Sequence, residues 1–208
     1  MSCTYCNIID GRGDYGKADM LLYDSSEFAV FPTVGPLVEG WVLIAPKQHI
    51  PSMRSFYSHD DLILLINSIK DKLYKKYNKP IILFEHGANK FGSLTSCGTD
   101  HAHLHMLPFC RSLLDDMRKM LTVQECQTVN LSERVGSNEY LFYSDIMKGD
   151  FRQAVGHIHI LSESISKFFR KLIATKLEVF EQHDYQQFLN LDMAHKTYDD
   201  LFPLFNEV

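Results

Sequence analysis

The segment DHAHLHMLPF, from Asp100 to Phe109, carries histidine at every second position three times in succession before a proline. Successive side chains of a β-strand point to opposite faces, so this spacing places His101, His103 and His105 on one face and the intervening apolar residues on the other. Solvent-facing strand positions ordinarily carry Thr, Lys or Glu rather than three imidazoles. The alternation therefore predicts a strand with one core face and one catalytic or metal-binding face.

The composition is that of a globular chain with one main core. The sequence has 208 residues, of which 45% are hydrophobic and 23% charged, and its net charge is −5. That charge argues against a protein that coats nucleic acid, so no extended nucleic-acid partner is expected. No run of eighteen apolar residues and no signal-peptide profile occurs, which predicts a cytoplasmic protein without a membrane partner. The five cysteines lack disulfide-framework spacing and are expected to be thiols or metal ligands.

The first half of the chain alternates strand-like runs with turn segments. The runs are MLLYD, FAVFP, WVLIA, IILFE and AHLHMLP. One amphipathic helix, LILLINSIKDKLYKKY, interrupts them; a capping-box pattern from Ser58 to Asp61 precedes it, and Asn78 and Pro80 follow it. This order predicts an α+β fold with a mostly antiparallel sheet and one crossing helix.

The second half of the chain has a different pattern of predicted helices and strands. SLLDDMRKMLTVQECQ is predicted to be helical, YLFYSDI and AVGHIHIL to form a hairpin, and SISKFFRKLIATKL to form another helix. We place a soft boundary near residue 110, between a first domain, 1–110, and a C-terminal extension, 111–208, packed on it. Lys167, Arg170 and Lys171 in the last of these helices are interpreted as a solvated basic face, with contact to a polyphosphate as the alternative.

Two cysteines near the start of the chain indicate a metal site. Cys3 and Cys6 have the Cys-x-x-Cys spacing with which two thiolates of one turn can bind a tetrahedral zinc ion. Two further ligands are required, and the candidates are His49, at the end of a predicted strand, and His101. The alternative is a pair of ordinary cysteines near a frayed terminus.

The segment EHGANKFGSLTSCGTDH, which leads into the histidine strand, is a candidate phosphate-binding loop. Glycines and small hydroxyl residues before a strand can leave backbone N–H groups free to bind an anion. The candidate residues are Ser96, Cys97, Gly98 and Thr99. Neither a Walker motif nor a dinucleotide-binding fingerprint is present, so a flexible hairpin loop is the alternative.

Three stretches together resemble the histidine triad superfamily of nucleotide hydrolases and transferases. They are CTYCNIIDG, FAVFPTVGPLVEGWVLIAPKQHI and DHAHLHMLPF, and residues 101–107 fill the family motif His-φ-His-φ-His-φ-φ, in which φ is apolar. The resemblance covers roughly the first half of the chain, from Cys3 to Phe109. It implies a histidine-triad-like sheet, a small-molecule nucleotide substrate and attack by His103 on the α-phosphorus of a nucleotide conjugate, such as a dinucleoside polyphosphate or a phosphoramidate. His101 and His105 would orient the nucleophile and bind phosphate oxygens around a nucleotidyl-histidine intermediate.

The resemblance also implies a metal and an assembly. In bacterial-type members that open with Cys-x-x-Cys, a structural zinc ion is held by residues matching Cys3, Cys6, His49 and His101. Family members usually pair their sheets edge to edge, which implies a homodimer. If the two hairpin strands of the extension join the sheet, they would cover that edge and leave a monomer.

Three positions depart from the family pattern. Thr33 stands where many members carry an acidic residue that holds the ribose, Trp41 stands where many carry histidine, and Gly98 stands where many carry a serine that assists the leaving group. Two alternatives to the enzyme therefore stay open. One is a nucleotide-binding or sensing protein with little turnover, and the other is a zinc-dependent hydrolase in which the three histidines hold a catalytic metal.

Overall fold

The computed structural model describes residues 3–93, 100–146 and 149–206. Within these residues eight strands form one sheet, and all of its strand pairs are antiparallel. The strands are β1 (Tyr23–Asp24), β2 (Phe28–Pro32), β3 (Val42–Pro46), β4 (Ile81–Gly87), β5 (Leu104–Pro108), β6 (Gln124–Gln127), β7 (Tyr140–Ile146) and β8 (Val155–Ile160). Their order across the sheet is β1-β2-β3-β5-β4-β7-β8-β6.

Six α-helices accompany the sheet in the described part of the chain. They are α1 (Thr4–Ile9), α2 (Asp60–Tyr77), α3 (Leu114–Met120), α4 (Leu131–Val135), α5 (Phe168–Lys176) and α6 (Leu191–Phe205). Short 3₁₀ turns lie at Gly16–Asp19, Thr128–Asn130, Phe151–Gln153 and Phe180–His183. No helix among the described residues has both the length and the apolar character that a membrane crossing requires.

Strand β5 lies in the middle of the sheet and has two different faces. Leu104 and Met106 are buried in the same core cluster as the apolar face of α2. His105 lies on the opposite face, directly between Leu43 of β3 and Phe84 of β4. The predicted alternation is therefore present from Leu104 onwards, whereas His101 and His103 precede the strand. The sheet separates the α2 core from the histidine side.

Helix α2 forms because its apolar residues recur at helical spacing. Leu62, Ile66, Ile69 and Leu73 are fully buried against the sheet. The helix ends at Asn78, whose left-handed backbone (φ 49°) closes it as predicted. The predicted capping box is wrong, because His59 occupies the N-cap position and no side chain caps the helix there.

The extension continues the sheet of the first half. Strand β7 pairs with β4 along its whole length, from Ile81 opposite Ile146 to Gly87 opposite Tyr140, and β8 and β6 follow. The helix predicted for residues 112–127 is too long. It ends at Met120, and Gln124–Gln127 pairs instead with β8, because a free strand edge offers backbone partners that local helix preference cannot reveal.

The fold class predicted from the sequence, α+β with one helix crossing an antiparallel sheet and with a hairpin and helices in the extension, is confirmed. Helices α3 and α5 pack on the histidine side of β4, β5 and β7, where Phe84, Tyr143 and Phe169 share one core cluster. The division of the chain at residue 110 stays a prediction.

Candidate active site

Two of the three triad histidines line a cavity of about 340 Å³ on the histidine side of the sheet. The ring centroids of His103 and His105 are 4.8 Å apart. The other walls come from four parts of the chain: α1, with Tyr5 and Ile8; the segment with Tyr15 and Asp19; strands β2, β3 and β4; and the extension. The residues of the extension at the cavity are Lys167, Phe168, Phe169, Arg170, Tyr185, Gln186 and Leu189, which we call the extension wall.

His103 is held as a neutral imidazole with one nitrogen free of the backbone. Its Nδ1 lies 2.9 Å from the carbonyl oxygen of His101. A carbonyl can only accept, so Nδ1 carries the hydrogen and Nε2 keeps its lone pair. Burial lowers the pKa of His103 to about 4, outweighing the hydrogen bond to His101, which raises it. At neutral pH the ring is therefore in the form that can act as a nucleophile.

His105 is clamped between two aromatic side chains. The indole Nε1–H of Trp41 donates to its Nδ1 at 3.0 Å, and the ring of Phe84 stacks on it at 4.6 Å. Because Nδ1 accepts, the hydrogen of the neutral ring is on Nε2, which can donate to a phosphate oxygen. Burial holds the pKa of His105 well below its usual range, with smaller contributions from His103 and the charge of Arg170.

The four predicted metal ligands come together in one cluster. Their ligand atoms, the Sγ of Cys3 and Cys6 and the Nδ1 of His49 and His101, lie within 4.8 Å of one another. Three of the sulfur-to-nitrogen distances are 3.4 to 3.5 Å, and the two nitrogens are 3.2 Å apart. Tetrahedral zinc with ordinary bond lengths separates such atoms by about 3.3–3.6 Å. The cluster could therefore hold a metal ion.

His101 belongs to this cluster by its ring and to the cavity by its backbone. Its Nε2 lies 2.8 Å from the carbonyl oxygen of Pro46, which fixes the hydrogen on Nε2 and leaves Nδ1 free to bind a metal. Its own carbonyl oxygen holds His103. His101 thus connects the two sites, whereas the sequence predicted a ring that both binds metal and contacts phosphate.

The remaining predicted site residues divide into two groups. Thr33 lines the cavity, is buried, and donates from Oγ1 to the carbonyl oxygen of Val34 at 3.3 Å. The four candidates of the predicted phosphate loop, Ser96, Cys97, Gly98 and Thr99, lie outside the described residues.

Two cavity residues were missed by sequence reasoning. His86 lies on β4 next to Phe84 and Glu85, and burial together with His103 lowers its pKa to about 4. Its position two residues after Phe84 in FEHG was a usable signal, because the register of β4 places both on the histidine side. Asp19 gave no signal in the sequence: its Oδ2 accepts from the Tyr15 N–H at 2.8 Å, and its buried Oδ1 has no hydrogen-bond partner among the described residues.

The basic residues of α5 are not equivalent. Arg170 is 6% exposed and lines the cavity, so its interpretation as part of a solvated basic face is wrong. Lys167 lines the cavity beside it, while Lys171 is a half-buried residue outside the cavity lining. The start of α5 therefore places two basic side chains, Lys167 and Arg170, at the cavity that the histidines line.

Comparisons with known proteins give matches among solved structures alone: no family model matches the chain, and no curated protein does. A Hit-like protein involved in cell-cycle regulation from Bartonella henselae is 14% identical, with 53% of this chain and 81% of that chain covered and a TM-score of 0.41. A HIT family hydrolase from Clostridium thermocellum is 19% identical, with coverages of 52% and 90% and a TM-score of 0.37.

A hypothetical histidine triad nucleotide-binding protein from Sulfolobus tokodaii strain 7 is 16% identical, with 96% of this chain and 93% of that chain covered and a TM-score of 0.37. All three carry the name of the family that residues 101–107 resemble. Since every identity is below 20%, function is inferred below from the residues of this chain.

Proposed function

We propose that the chain is a histidine triad nucleotide hydrolase or nucleotidyltransferase that acts at the α-phosphate of a nucleotide conjugate. The observation that carries this proposal is the pairing of two neutral imidazoles with opposite hydrogen positions in one cavity. His103 keeps a lone pair on Nε2 because His101 accepts from its Nδ1, and His105 keeps a hydrogen on Nε2 because Trp41 donates to its Nδ1. One ring suits attack on phosphorus, and its neighbour suits binding of a phosphate oxygen.

The proposed reaction has two displacements at phosphorus. In the first, Nε2 of His103 forms a bond to the α-phosphorus, and the bond from phosphorus to the leaving group breaks with its electron pair on the leaving group. The hydrogen on Nδ1 stays in place, so the nucleotidylated ring is positively charged and its charge faces the carbonyl oxygen of His101. In the second, water bonds to phosphorus and the N–P bond breaks. The electron pair of the N–P bond returns to Nε2, which restores the neutral ring, and the water loses one proton, which balances the negative charge of the leaving group released in the first step. The product is a nucleoside monophosphate, and another acceptor in place of water gives transfer.

The cavity walls support a nucleoside as the bound group. Tyr5, Ile8, Phe31 and Leu43 form an apolar and aromatic side next to His103, where a nucleobase can pack. A volume of about 340 Å³ lies in the usual range for a small-molecule site. The buried Oδ1 of Asp19 adds an acceptor for a hydroxyl or amino group of the substrate.

We propose zinc as the metal of the Cys3, Cys6, His49 and His101 cluster, in a structural role. Two thiolates and two imidazoles form a donor set that zinc prefers, and four protein ligands complete its tetrahedron without an open position. The ion would join α1 to the end of β3 and the start of β5, which supports the strand that carries His103. The described cysteines are free thiols, in agreement with the cytoplasm as the proposed compartment.

The zinc-dependent hydrolase is the less favoured alternative. It requires His101, His103 and His105 to direct nitrogens at one ion. Instead, Nδ1 of His101 lies in the cysteine cluster, while the Nδ1 atoms of the other two rings are taken by His101 O and Trp41 Nε1. The three rings therefore have different partners.

A substrate screen tests the proposed function. Purified protein is incubated with a dinucleoside polyphosphate, a nucleoside phosphoramidate and a sugar nucleotide, and the products are identified by mass spectrometry. We expect a nucleoside monophosphate from at least one of them, with a rate that does not change when loosely held metal is removed with EDTA. Binding of these compounds without any product would support the sensing protein instead, and immediate loss of the rate in EDTA would support the metal hydrolase.

A further inference from the structure

The cavity has two chemically different ends. The ring of Tyr5 lies 5.0 Å from that of His103, which lies 4.8 Å from that of His105. From His105 the contacts continue through Phe84 to Phe169 of the extension wall, at 4.6 Å in each step. The triad therefore lies between an apolar end formed by α1 and an end formed by the extension.

Arg170 brings a buried charge to the second end. Its guanidinium carbon lies 5.0 Å from the ring centroid of Trp41 and 5.5 Å from that of Tyr185. It donates from Nε to the carbonyl oxygen of His183 at 3.1 Å and from Nη2 to the carbonyl oxygen of Gly35. Carbonyl oxygens orient a guanidinium without cancelling its charge, and both Arg170 and His105 contact the indole of Trp41.

Lys167 adds a second cation at the same end. It precedes α5 in a left-handed conformation (φ 56°), and its Nζ lies 2.7 Å from Asp184 and 5.3 Å from the ring centroid of Tyr185. Among the described residues that line the cavity, Lys167 and Arg170 are the lysine and the arginine. The arginine and lysine charge next to a bound anion therefore comes from the extension, where Arg170 is held by carbonyl oxygens and Lys167 is paired with Asp184.

The negative charge of a phosphate bound in such a cavity must be compensated by the protein. Transfer of an anion from water into a partly closed apolar site is costly unless cations or hydrogen-bond donors accompany it. His103 and His105 offer hydrogen-bonding groups for one phosphate. Lys167 and Arg170 lie beyond His105, away from the apolar end where a nucleobase packs.

We infer that the extension wall is a subsite for phosphate groups beyond the α-phosphate. This inference rests on the proposed function and deepens it: the substrate class is a nucleotide conjugate whose leaving group itself carries phosphate, such as a nucleoside or dinucleoside polyphosphate. A phosphoramidate or an uncharged ester has no leaving-group phosphate to bind at these cations and is the poorer substrate.

Kinetics with two substrates that share one nucleotidyl group test the subsite. We compare diadenosine tetraphosphate with the p-nitrophenyl ester of AMP in the full-length wild type, Lys167→Met, Arg170→Met and Arg170→Lys. Lys171→Met is the matched control, because it removes a cation from the same helix outside the cavity lining. We expect Lys167→Met and Arg170→Met each to lower kcat/KM for the tetraphosphate about tenfold or more and for the ester less than about threefold. Arg170→Lys should recover part of the loss, and the control should change neither substrate.

Equal losses for both substrates would assign Arg170 and Lys167 a structural role and overturn the subsite, as would the absence of any loss. A binding experiment makes the test independent of turnover. In a His103→Ala background, calorimetry with AMP and with adenosine 5′-tetraphosphate should show about tenfold tighter binding of the tetraphosphate, and Lys167→Met should remove that advantage. Equal affinities for the two nucleotides would contradict the inference. Retained preference for the tetraphosphate in a protein that hydrolyses no substrate would refute the proposed function while keeping the subsite.

Discussion

At the scale of single residues, two groups decide which ring nitrogen carries the hydrogen. The backbone carbonyl oxygen of His101 does so for His103, and the indole N–H of Trp41 does so for His105. The sequence predicts that His101, His103 and His105 share a face, because strand alternation is a local property. It does not predict which nitrogen of each ring carries hydrogen. The donor to His105 is Trp41, 64 positions away in the sequence, and its contact depends on the register of β3 with β5. Trp41 therefore serves as a positioning residue, although the sequence showed it only as a departure from the family pattern.

Replacement of Trp41 by phenylalanine tests this role. Trp41→Phe keeps an aromatic ring and removes the Nε1–H that orients His105, so we expect kcat to fall about tenfold with little change in KM, as for loss of one hydrogen bond. Phe151→Leu is a matched control, since Phe151 is also fully buried but lies on the α2 side of the sheet. Both variants should lose stability in urea unfolding, and Phe151→Leu should keep its kcat. Full kcat in Trp41→Phe would contradict the assignment.

At the scale of elements, the spacing of apolar residues predicted the helices and strands that have one apolar face. It did not predict a strand whose pairing partner is distant in the sequence. Helix α2 and strand β5 were predicted because their patterns are complete within the element. Strand β6 was predicted as helix, since its sequence QECQ has no strand signal and its partner β8 lies about thirty residues later. The zinc-type cluster is intermediate: Cys3 and Cys6 are visible as a pair, whereas His49 and His101 come from two further segments.

Metal analysis tests the cluster. We expect about one zinc ion per chain in protein prepared without chelator, and much less in the Cys3→Ser/Cys6→Ser variant, which should also unfold more easily. Cys110→Ser is the control, because Cys110 is an exposed free thiol outside the cluster. Unchanged zinc content in the double variant, or metal-free wild-type protein of full stability, would refute the structural zinc.

Glu85 on β4 gives a prediction for the pH dependence of stability. It is buried on the α2 side of the sheet and accepts from the hydroxyls of Tyr57 (2.9 Å) and Tyr140 (2.6 Å) and from the Met53 N–H (2.7 Å). Burial outweighs these hydrogen bonds and raises the pKa of Glu85 from 4.5 to about 7. The folded state therefore binds more protons at Glu85 than the unfolded state between these values, so its contribution to the free energy of unfolding falls as pH rises from 4.5 to 7.

The buried histidines of the cavity have lowered pKa values, so their contribution to the free energy of unfolding rises with pH and opposes that of Glu85. The effect of Glu85 is therefore measured as a difference between the wild type and a variant without its carboxyl group. Urea unfolding of wild type and Glu85→Gln is followed at several pH values. We expect the free energy of unfolding of the wild type, minus that of the variant, to decrease by a few kcal/mol between pH 4.5 and 7. A difference that stays constant or increases would show that Glu85 is ionised in the folded protein across this range.

At the scale of the whole molecule, the extension has two effects that only the complete fold reveals. It covers the edge of β4 with β7, and it places Lys167 and Arg170 in the cavity. The sequence suggested both only as alternatives, because each depends on packing between distant segments; Arg170 and its acceptor Gly35 are 135 positions apart. The sequence therefore predicted the candidate nucleophile and the metal ligands that the structure brings together, but it did not predict that Arg170 is buried beside the histidines.

The coverage of β4 also bears on assembly. The homodimer was expected because a small antiparallel sheet leaves an exposed edge, and that reason does not apply to β4 once β7 occupies it. The two outer strands, β1 and β6, have two and four residues and are poor templates for another chain. We therefore expect light scattering to give a mass near the 24.0 kDa of one chain, and a mass of about twice that value would support the homodimer.

Trapping of the proposed intermediate tests the central claim, that His103 is nucleotidylated during turnover. The protein is mixed briefly with a substrate that it turns over, quenched without acidifying conditions that cleave N–P bonds, digested and analysed by mass spectrometry. We expect a nucleoside monophosphate on His103 and, in His103→Ala, a fall in kcat of about three orders of magnitude or more with nucleotide binding kept. The control His159→Ala should keep normal activity, because His159 does not line the cavity and its ring contacts the carbonyl oxygen of Thr122. No adduct on His103 for a substrate that is turned over, together with most of the activity retained in His103→Ala, would contradict the account.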